Sequence, residues 1–108
     1  MAVPDEGGGD LQPIGEIDRI VHEPARLLIL SFLYVVEAAD FIFLMRETGL
    51  TKGNLSSHLN KLEVAGYIDV VKEFVDRKPR TMLKISDPGR VALQAYRKNM
   101  EHVLGNLP

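Results

Sequence analysis

The sequence predicts a mainly helical α+β domain in which two helices joined by a short turn precede a two-stranded hairpin and a closing helix. Three observations predict it. Gly49-Leu50-Thr51 separates two stretches whose apolar residues recur at helical spacing. After Gly66 the apolar pattern changes from helical to alternating, which indicates strands. The stretch Asp76–Pro79, rich in turn-forming and basic residues, then divides two such strands.

Length and composition indicate one soluble globular domain. The chain has 108 residues, of which 45% are hydrophobic and 26% charged. It has no cysteine, which excludes disulfides, thiolate metal sites and cysteine nucleophiles. The first ten residues are acidic and glycine-rich, unlike a signal peptide, and the apolar run 27–36 is shorter than the roughly 20 residues of a bilayer span. We therefore expect a cytoplasmic protein.

Charge is distributed unevenly along the chain. Residues 1–40 carry two basic and eight acidic side chains, a net charge of -6, whereas residues 41–108 carry 11 basic and seven acidic ones, a net charge of +4. A local basic field attracts a polyanion even when the total charge is negative. The second part of the chain is thus the candidate surface for nucleic acid, with scattered solvated charges as the simpler alternative.

The elements before the turn follow from apolar spacing and helix caps. Residues 1–13 predict a flexible arm, and 14–108 the folded domain. A short helix is expected over Ile14–Val21, and a second one runs from Pro24 to Val36. This second helix is apolar nearly all round, so it needs cover on more than one side, either from the rest of the domain or from a second copy of the chain.

The next two helices form a helix-turn-helix. Asp40 is the expected N-cap of the first, which ends at Gly49, and Thr51 is that of the second, which runs to Gly66. Leu50 and Leu55 occupy the two positions of a hydrophobic staple, which sets the angle at which the chain enters the second helix.

Strands and a last helix complete the domain. Residues 67–75 and 80–85 predict the two strands of a hairpin with a basic tip. Ser86 or Asp87 caps the closing helix, which is amphipathic and ends before Gly105. The whole order is that of a winged helix-turn-helix, with the hairpin as the wing.

The helix that starts at Thr51 is the candidate recognition helix. Its leucines share one face, which leaves short hydrogen-bonding side chains and Gly53 on the other. Such a surface suits the edges of bases in a major groove, although an ordinary amphipathic surface helix has the same pattern. The side chains expected to meet bases are Asn54, Ser56, Ser57 and Asn60, and those expected to meet phosphate are Thr51, Lys52 and Lys61.

The hairpin carries a second group of candidate DNA contacts. Arg77, Lys78 and Arg80 lie on and beside its tip, with Lys72 on the partner strand. Long cationic side chains suit phosphate contacts or insertion into a narrow minor groove. Solvated charges that protect an exposed hairpin are the alternative explanation.

Four motifs in residues 16–104 resemble the short winged-helix transcriptional regulators related to the MarR and ArsR groups. They are HEPARLLIL, TGLTKGNLSSHLNKLEVAGYI, RKPRTMLKIS and DPGR. The resemblance implies a homodimer formed through the first and last helices, with recognition helices in successive major grooves and wings on the flanking backbone. It adds His58 to the candidate DNA contacts. The apolar residues that fit such a dimer interface are Leu28, Phe32, Leu93, Tyr96, Met100 and Val103.

Other functions find little support in the sequence. ArsR-type metal sensing depends largely on cysteine clusters, and His22, His58 and His102 are far apart, so we expect no metal and no cofactor. No carboxylate pair, nucleophile elbow or phosphate-binding loop is present, so we expect no enzyme.

The leading prediction is therefore a sequence-specific regulator that binds double-stranded DNA as a dimer, most simply as a repressor. A winged-helix adaptor that binds protein without DNA is the alternative. A small-molecule effector pocket at the dimer interface, near Phe32, Tyr34 or Tyr96, is a third possibility that an apolar interface explains equally well.

Overall fold

Four helices and three strands make up the computed structural model, which describes residues 15–108. The winged helix-turn-helix fold predicted from the sequence is confirmed. The expected arm over residues 1–13 lies outside the described residues. In chain order the elements are α1 (Pro24–Val36), β1 (Ala38–Asp40), α2 (Phe41–Thr48), α3 (Lys52–Val64), β2 (Ile68–Val75), β3 (Lys78–Ile85) and α4 (Asp87–Gly105).

Side-chain caps explain where the helices begin. Asp40, Thr51 and Ser86 each accept a hydrogen bond from the backbone N–H three residues later, at 2.6, 3.2 and 3.0 Å. Glu23 does the same for α1, at 2.8 Å, and proline occupies the position after it. Gly49 ends α2 with a φ of 71°, a left-handed conformation that glycine adopts without steric cost. The predicted starts of these four helices are thus confirmed.

The helix predicted over Ile14–Val21 is wrong for residues 16–21, which form turns and irregular backbone. Asp18 is the reason: its Oδ1 accepts from the backbone N–H groups of Ile20, at 2.8 Å, and Val21, at 3.2 Å, which replaces helical hydrogen bonding. Its other oxygen accepts from the hydroxyl of Tyr67. The apolar residues of the segment still pack against the core, and Val21 is fully buried.

The sheet has three strands, one more than the sequence predicts. Their order is β1-β3-β2, so the short β1 pairs antiparallel with β3, Ala39 opposite Leu83. β1 is only three residues long and has no alternating pattern of its own, and its pairing partner lies more than 40 residues along the chain. Because β1 links α1 directly to α2, it holds the helix-turn-helix against the base of the wing.

The wing, which we define as the β2–β3 hairpin (Ile68–Ile85), turns more tightly than predicted. The turn is Asp76-Arg77 alone, and Lys78 and Pro79 belong to β3. Both turn residues have positive φ, 52° and 67°, as in a type I′ turn, whose twist matches that of the strands it joins. Pro79 pairs with Phe74, and in a hairpin with this two-residue turn that pair exchanges no backbone hydrogen bonds. Proline has no N–H to donate, so it is tolerated at this position of β3.

One apolar core joins the helices to the base of the sheet. It is formed from side chains of all seven elements and of the segment before α1. Its largest fully buried side chains are Val21, Ile29, Leu30, Leu33, Leu44, Leu55, Leu62, Ile68 and Leu83. Only part of α1 faces this core, since Leu28, Val35 and Val36 remain exposed. The surplus apolar face expected for α1 is therefore present.

Candidate nucleic-acid interface

Packing fixes the orientation of α3. Leu55, Leu59 and Leu62 are buried against the core, and Leu50 packs beside them. The opposite face of the helix must then point to solvent. We call this exposed side, together with the cap Thr51, the reading face.

The reading face brings together seven of the eight candidate side chains on the recognition helix. All seven are exposed: Thr51, Lys52, Asn54, Ser56, Ser57, Asn60 and Lys61. Thr51 uses its hydroxyl to cap the helix. Among residues 15–108, no hydrogen bond or ion pair engages the other six side chains. Their donors and acceptors are therefore available to an external partner without the loss of internal contacts.

The eighth candidate, His58, lies on the flank of α3 that faces α1. It is half-buried, and its Nδ1 lies 3.1 Å from Nη1 of Arg26 and 3.9 Å from a carboxylate oxygen of Glu23. This geometry gives His58 an internal role that the motif alone does not indicate, and leaves at most its Nε2 edge to a phosphate.

Arg26 is the residue that sequence reasoning missed. It is the only buried charged side chain within the described range, and its Nε also donates to the carbonyl oxygen of Ile20 at 2.6 Å. Burial raises the pKa of Glu23, but the hydrogen bond from the backbone of Arg26 and the charges of His58 and Arg26 outweigh it, so that the pKa falls below its usual value. This cluster connects the start of α1 to α3. The sequence does not indicate this cluster, because Arg26 stands between the apolar residues Ala25 and Leu27.

The wing candidates occupy different environments. Arg77 and Lys78 are exposed at the turn and beside it. Arg80 lies farther down β3, where its Nη2 is 3.8 Å from a carboxylate oxygen of Asp40. This pair is partly exposed and therefore weak, so a phosphate can compete for Arg80.

A groove of about 640 Å³ separates the reading face from the wing. Lys52, Ser56 and Asn60 line it from α3, and Lys72 and Arg80 from the sheet. Apolar side chains from α2, α3 and the strands form its floor. Cations on both sides of one groove are an arrangement that a single polyanion can bridge. The alternation of side chains along β2 places Lys72 on the groove side. The short distance between the two walls of the groove depends on the tertiary fold.

The predicted dimer-interface residues lie along α1 and α4. Leu28 is exposed, while Phe32, Leu93, Met100 and Val103 are half-buried. Tyr96 instead belongs to the core of its own chain, where its hydroxyl lies 2.9 Å from Nδ1 of His22. Further apolar side chains, which were not singled out from the sequence, are exposed on the same two helices: Val35, Val36, Val91 and Leu104.

Residues 15–108 contain neither a cluster of metal ligands nor a membrane-spanning helix. No three histidine, aspartate or glutamate side chains of this range converge as metal ligands would. None of its helices combines the length and the apolar character that crossing a membrane requires.

Comparison with known proteins shows to which family the chain belongs. Residues 25–104 match the family model described as a winged helix DNA-binding domain. An uncharacterized protein of Methanocaldococcus jannaschii is 37% identical over 78 residues, which are 72% of this chain and 85% of the relative. The structure of a transcriptional regulator homologue from Pyrococcus horikoshii OT3 is 32% identical, covers 89% of this chain and 99% of its own, and superimposes with a TM-score of 0.83.

More distant structures share the fold. Reduced AbfR bound to DNA has a TM-score of 0.62 at 20% identity, and covers 93% of this chain and 65% of its own. An ArsR family transcriptional regulator has a TM-score of 0.55 at 17% identity, and covers 94% and 96%. The resemblance to winged-helix regulators that the motifs indicated is confirmed. The chain belongs to the family of winged helix DNA-binding domains.

Proposed function

We propose that this protein is a transcriptional regulator that binds specific sequences of double-stranded DNA as a homodimer, and that it represses by competing with polymerase for a promoter. One observation carries the proposal. A face of unpaired hydrogen-bonding side chains on α3 lies across a groove from a cationic wing. Membership of the winged helix DNA-binding family supports it.

Base readout is assigned to the middle of the reading face. Asn54, Ser56, Ser57 and Asn60 are exposed and short, so α3 can approach the edges of bases in a major groove closely. Asparagine can both donate to and accept from adenine, whereas serine hydroxyls suit several bases. Asn54 and Asn60 are therefore the residues expected to discriminate most between sequences.

Phosphate contacts are assigned to the two ends of the interface. Thr51, Lys52 and the first backbone N–H groups of α3 form one end. Arg77, Lys78 and Arg80 on the wing form the other, and Lys61 adds a cation in the last turn of α3. Such contacts set position and affinity but carry no sequence information. His58 is half-buried and contributes at most one bond.

Dimerisation supplies the second half of the DNA site. The apolar side chains exposed on α1 and α4 support an interface there, which would place two recognition helices about one turn of DNA apart. We propose that the protein acts without catalysis or a cofactor, since its family and fold are those of transcriptional regulators. Its working compartment is then the cytoplasm, where it meets DNA.

The decisive experiment is selection of bound duplexes from a random DNA library at two salt concentrations. We expect enrichment of a two-part sequence with half-sites about 10 base pairs apart, bound about 1,000-fold more tightly than random duplex. Equal affinity for selected and random duplexes would contradict sequence-specific regulation.

Matched lysine variants test where the DNA lies. Lys52→Ala should weaken binding and reduce the dependence of log affinity on log salt by about 0.9, the contribution of one phosphate contact. Lys98→Ala removes the same charge from an exposed position of α4, away from the reading face, and should change neither value. Reversing the charges of Lys52, Arg77 and Arg80 should abolish DNA binding; if DNA affinity survives, the interface lies elsewhere.

A further inference from the structure

Phe74 and Pro79 form an exposed apolar pair near the end of the wing. Phe74 is 77% exposed, and its register partner across the hairpin is Pro79. Neither belongs to the core or packs against it. The pair lies close to the turn of the hairpin, and neither side chain is among those that form the core.

The pair projects on the side of the wing that borders the recognition helix. Alternation along β2 puts Phe74 on the same sheet face as Lys72 and Val70. Lys72 and Pro79 line the groove beside α3, and Val70 packs against the core. Phe74 and Pro79 therefore continue the groove wall beyond the core, on the side where the reading face lies.

Cations surround this apolar pair. Arg77 and Lys78 lie between Phe74 and Pro79 in the chain, and Lys72 lies two residues before Phe74. Two acidic side chains, Glu73 and Asp76, leave the five side chains with a net positive charge. An apolar pair ringed by cations fits a partner that is anionic outside and apolar inside, and duplex DNA has this construction, with phosphates outside and stacked bases within.

We propose that Phe74, supported by Pro79, is an apolar wedge that enters the minor groove next to the site of α3 and partly unstacks one base-pair step. Phenylalanine and proline side chains act in this way in proteins that bend DNA from the minor groove. Flexible pyrimidine–purine steps unstack most readily, so the wedge adds sequence preference at a position where no hydrogen bond reads a base. This inference rests on the proposed function.

Experiment distinguishes the wedge from two other roles of the pair. Phe74 and Pro79 contact each other across the hairpin and could only stabilise the wing, or Phe74 could mediate self-association. Charge favours DNA over a second copy, because two wings with net positive tips repel each other. Val75, the next residue, provides the control: it lies at the same tip but on the opposite sheet face and is also exposed.

The chain has no tryptophan, so Phe74→Trp creates a single fluorescent reporter at the wedge, and Val75→Trp creates one on the opposite face. The probe is a duplex of about 30 base pairs that carries the sequence selected from the random library. On binding, we expect the fluorescence of the Phe74→Trp protein to fall about twofold through stacking on a base, and its quenching by acrylamide to decrease. The Val75→Trp protein should show neither change.

Affinity gives an independent readout. Phe74→Ala should weaken binding of the selected duplex about tenfold, which is within the range that base–aromatic stacking contributes, with an unchanged salt dependence because no cation is lost. 2-Aminopurine at the contacted step should brighten on binding of the wild-type protein and not with Phe74→Ala. Val75→Ala should match the wild-type protein in each measurement.

Several results would overturn the wedge. A Phe74→Trp side chain that stays as accessible to acrylamide in the complex as in the free protein would exclude insertion. Loss of self-association in Phe74→Ala, with unchanged DNA affinity, would assign the pair to contacts between copies. In both cases the wild-type protein still binds its selected duplex, so the proposed function stands. Failure of the selection itself would refute that function instead.

Discussion

The hydroxyl of Tyr67 has one polar partner within residues 15–108, and this partner explains a large rise in the pKa of the side chain. Its hydroxyl donates to the carboxylate of Asp18, in the segment before α1. This hydrogen bond, with partial burial and the nearby negative charge, raises the pKa of Tyr67 from 10.0 to about 12. Because the folded-state pKa lies above the unfolded value, the contact contributes fully to stability below pH 10 and is lost as the pH rises towards 12.

The pH dependence gives the first prediction. The difference between the phenolate absorbance titrations of the wild-type protein and Tyr67→Phe should have its midpoint at about 12. At neutral pH, Tyr67→Phe should lower the free energy of unfolding by about 1.5 kcal/mol, the usual value of a hydrogen bond to a charged group. A difference titration centred near the ordinary tyrosine value would mean that Asp18 does not hold this hydroxyl in solution.

Gly89 is required for close packing of α4 against the backbone of Tyr67, just before β2. A Cβ atom at this position would overlap the carbonyl oxygen of Tyr67 and lie 2.9 Å from its carbonyl carbon. The first turn of α4 is held there, since Ser86 accepts from the N–H of Gly89 and donates to the carbonyl of Gly66. Backbone atoms cannot move aside as a flexible side chain can.

We therefore expect Gly89→Ala to destabilise the protein by about 2 kcal/mol, as overpacking does elsewhere. Gly53→Ala is the matched control, because Gly53 also lies in the first turn of a helix but has no atom within 4 Å of an added Cβ. That control should be neutral or stabilising by up to about 1 kcal/mol. Denaturant unfolding of both variants measures the two effects, and equal values would contradict the tight contact at Gly89.

At the scale of the element, the wing turn has a cation at a position where glycine would make the protein more stable. Arg77 has a φ of 67°, a conformation that suits glycine and strains an ordinary side chain. Asp-Gly is among the most favoured sequences for a type I′ turn. The natural sequence instead places a cation at the tip of the hairpin, where we propose that it meets DNA.

Arg77→Gly should accordingly stabilise the protein by about 0.5–1 kcal/mol while lowering the salt dependence of DNA binding by about 0.9. Lys78→Gly loses the same charge from within β3, where φ is not positive, so it should lower the salt dependence and destabilise the hairpin. Thermal unfolding and salt titrations separate the two effects. An Arg77→Gly protein that unfolds earlier than the wild type would show that the turn relaxes in solution.

At the scale of the whole molecule, the exposed apolar side chains on α1 and α4 form a surface that is suited to burial against another subunit. Val35 is 80% exposed on α1, beside a small groove shared with Leu93 and Arg97 of α4. Within this groove Tyr34 is held by Gln94, at 2.6 Å, and by Arg90 over its ring. A preorganised apolar surface of this kind is typical of an interface between subunits.

If this surface forms the dimer, Val35→Asp should raise the dimer dissociation constant about 100-fold or more, since it buries an unpaired charge. Val64→Asp is matched in residue type and exposure, also 80%, but lies at the end of α3 and should leave the dimer intact. Sedimentation equilibrium measures both constants. A wild-type protein that sediments as a monomer, or equal effects of the two variants, would place the subunit contact elsewhere.

The sequence by itself determined the parts of this protein that depend on neighbours a few residues away. The caps Asp40 and Thr51, the left-handed Gly49 and the leucine spacing of α3 act within one or two helical turns, so the helix-turn-helix and its exposed face are readable from the residues. The alternation of β3 likewise predicted which side chains share a face. The DNA-binding assignment depended on these local features together with the motif resemblance.

Only the tertiary structure decided the features that join distant residues. Asp18 leaves the predicted helix because it caps a turn and meets Tyr67, 49 residues away. β1 exists because β3 offers it a free edge, and Arg26 reaches His58 because α1 crosses α3. The side of the wing that Phe74 occupies relative to the reading face has the same origin. Local preferences act over a few residues, whereas these contacts form only when the whole core is packed.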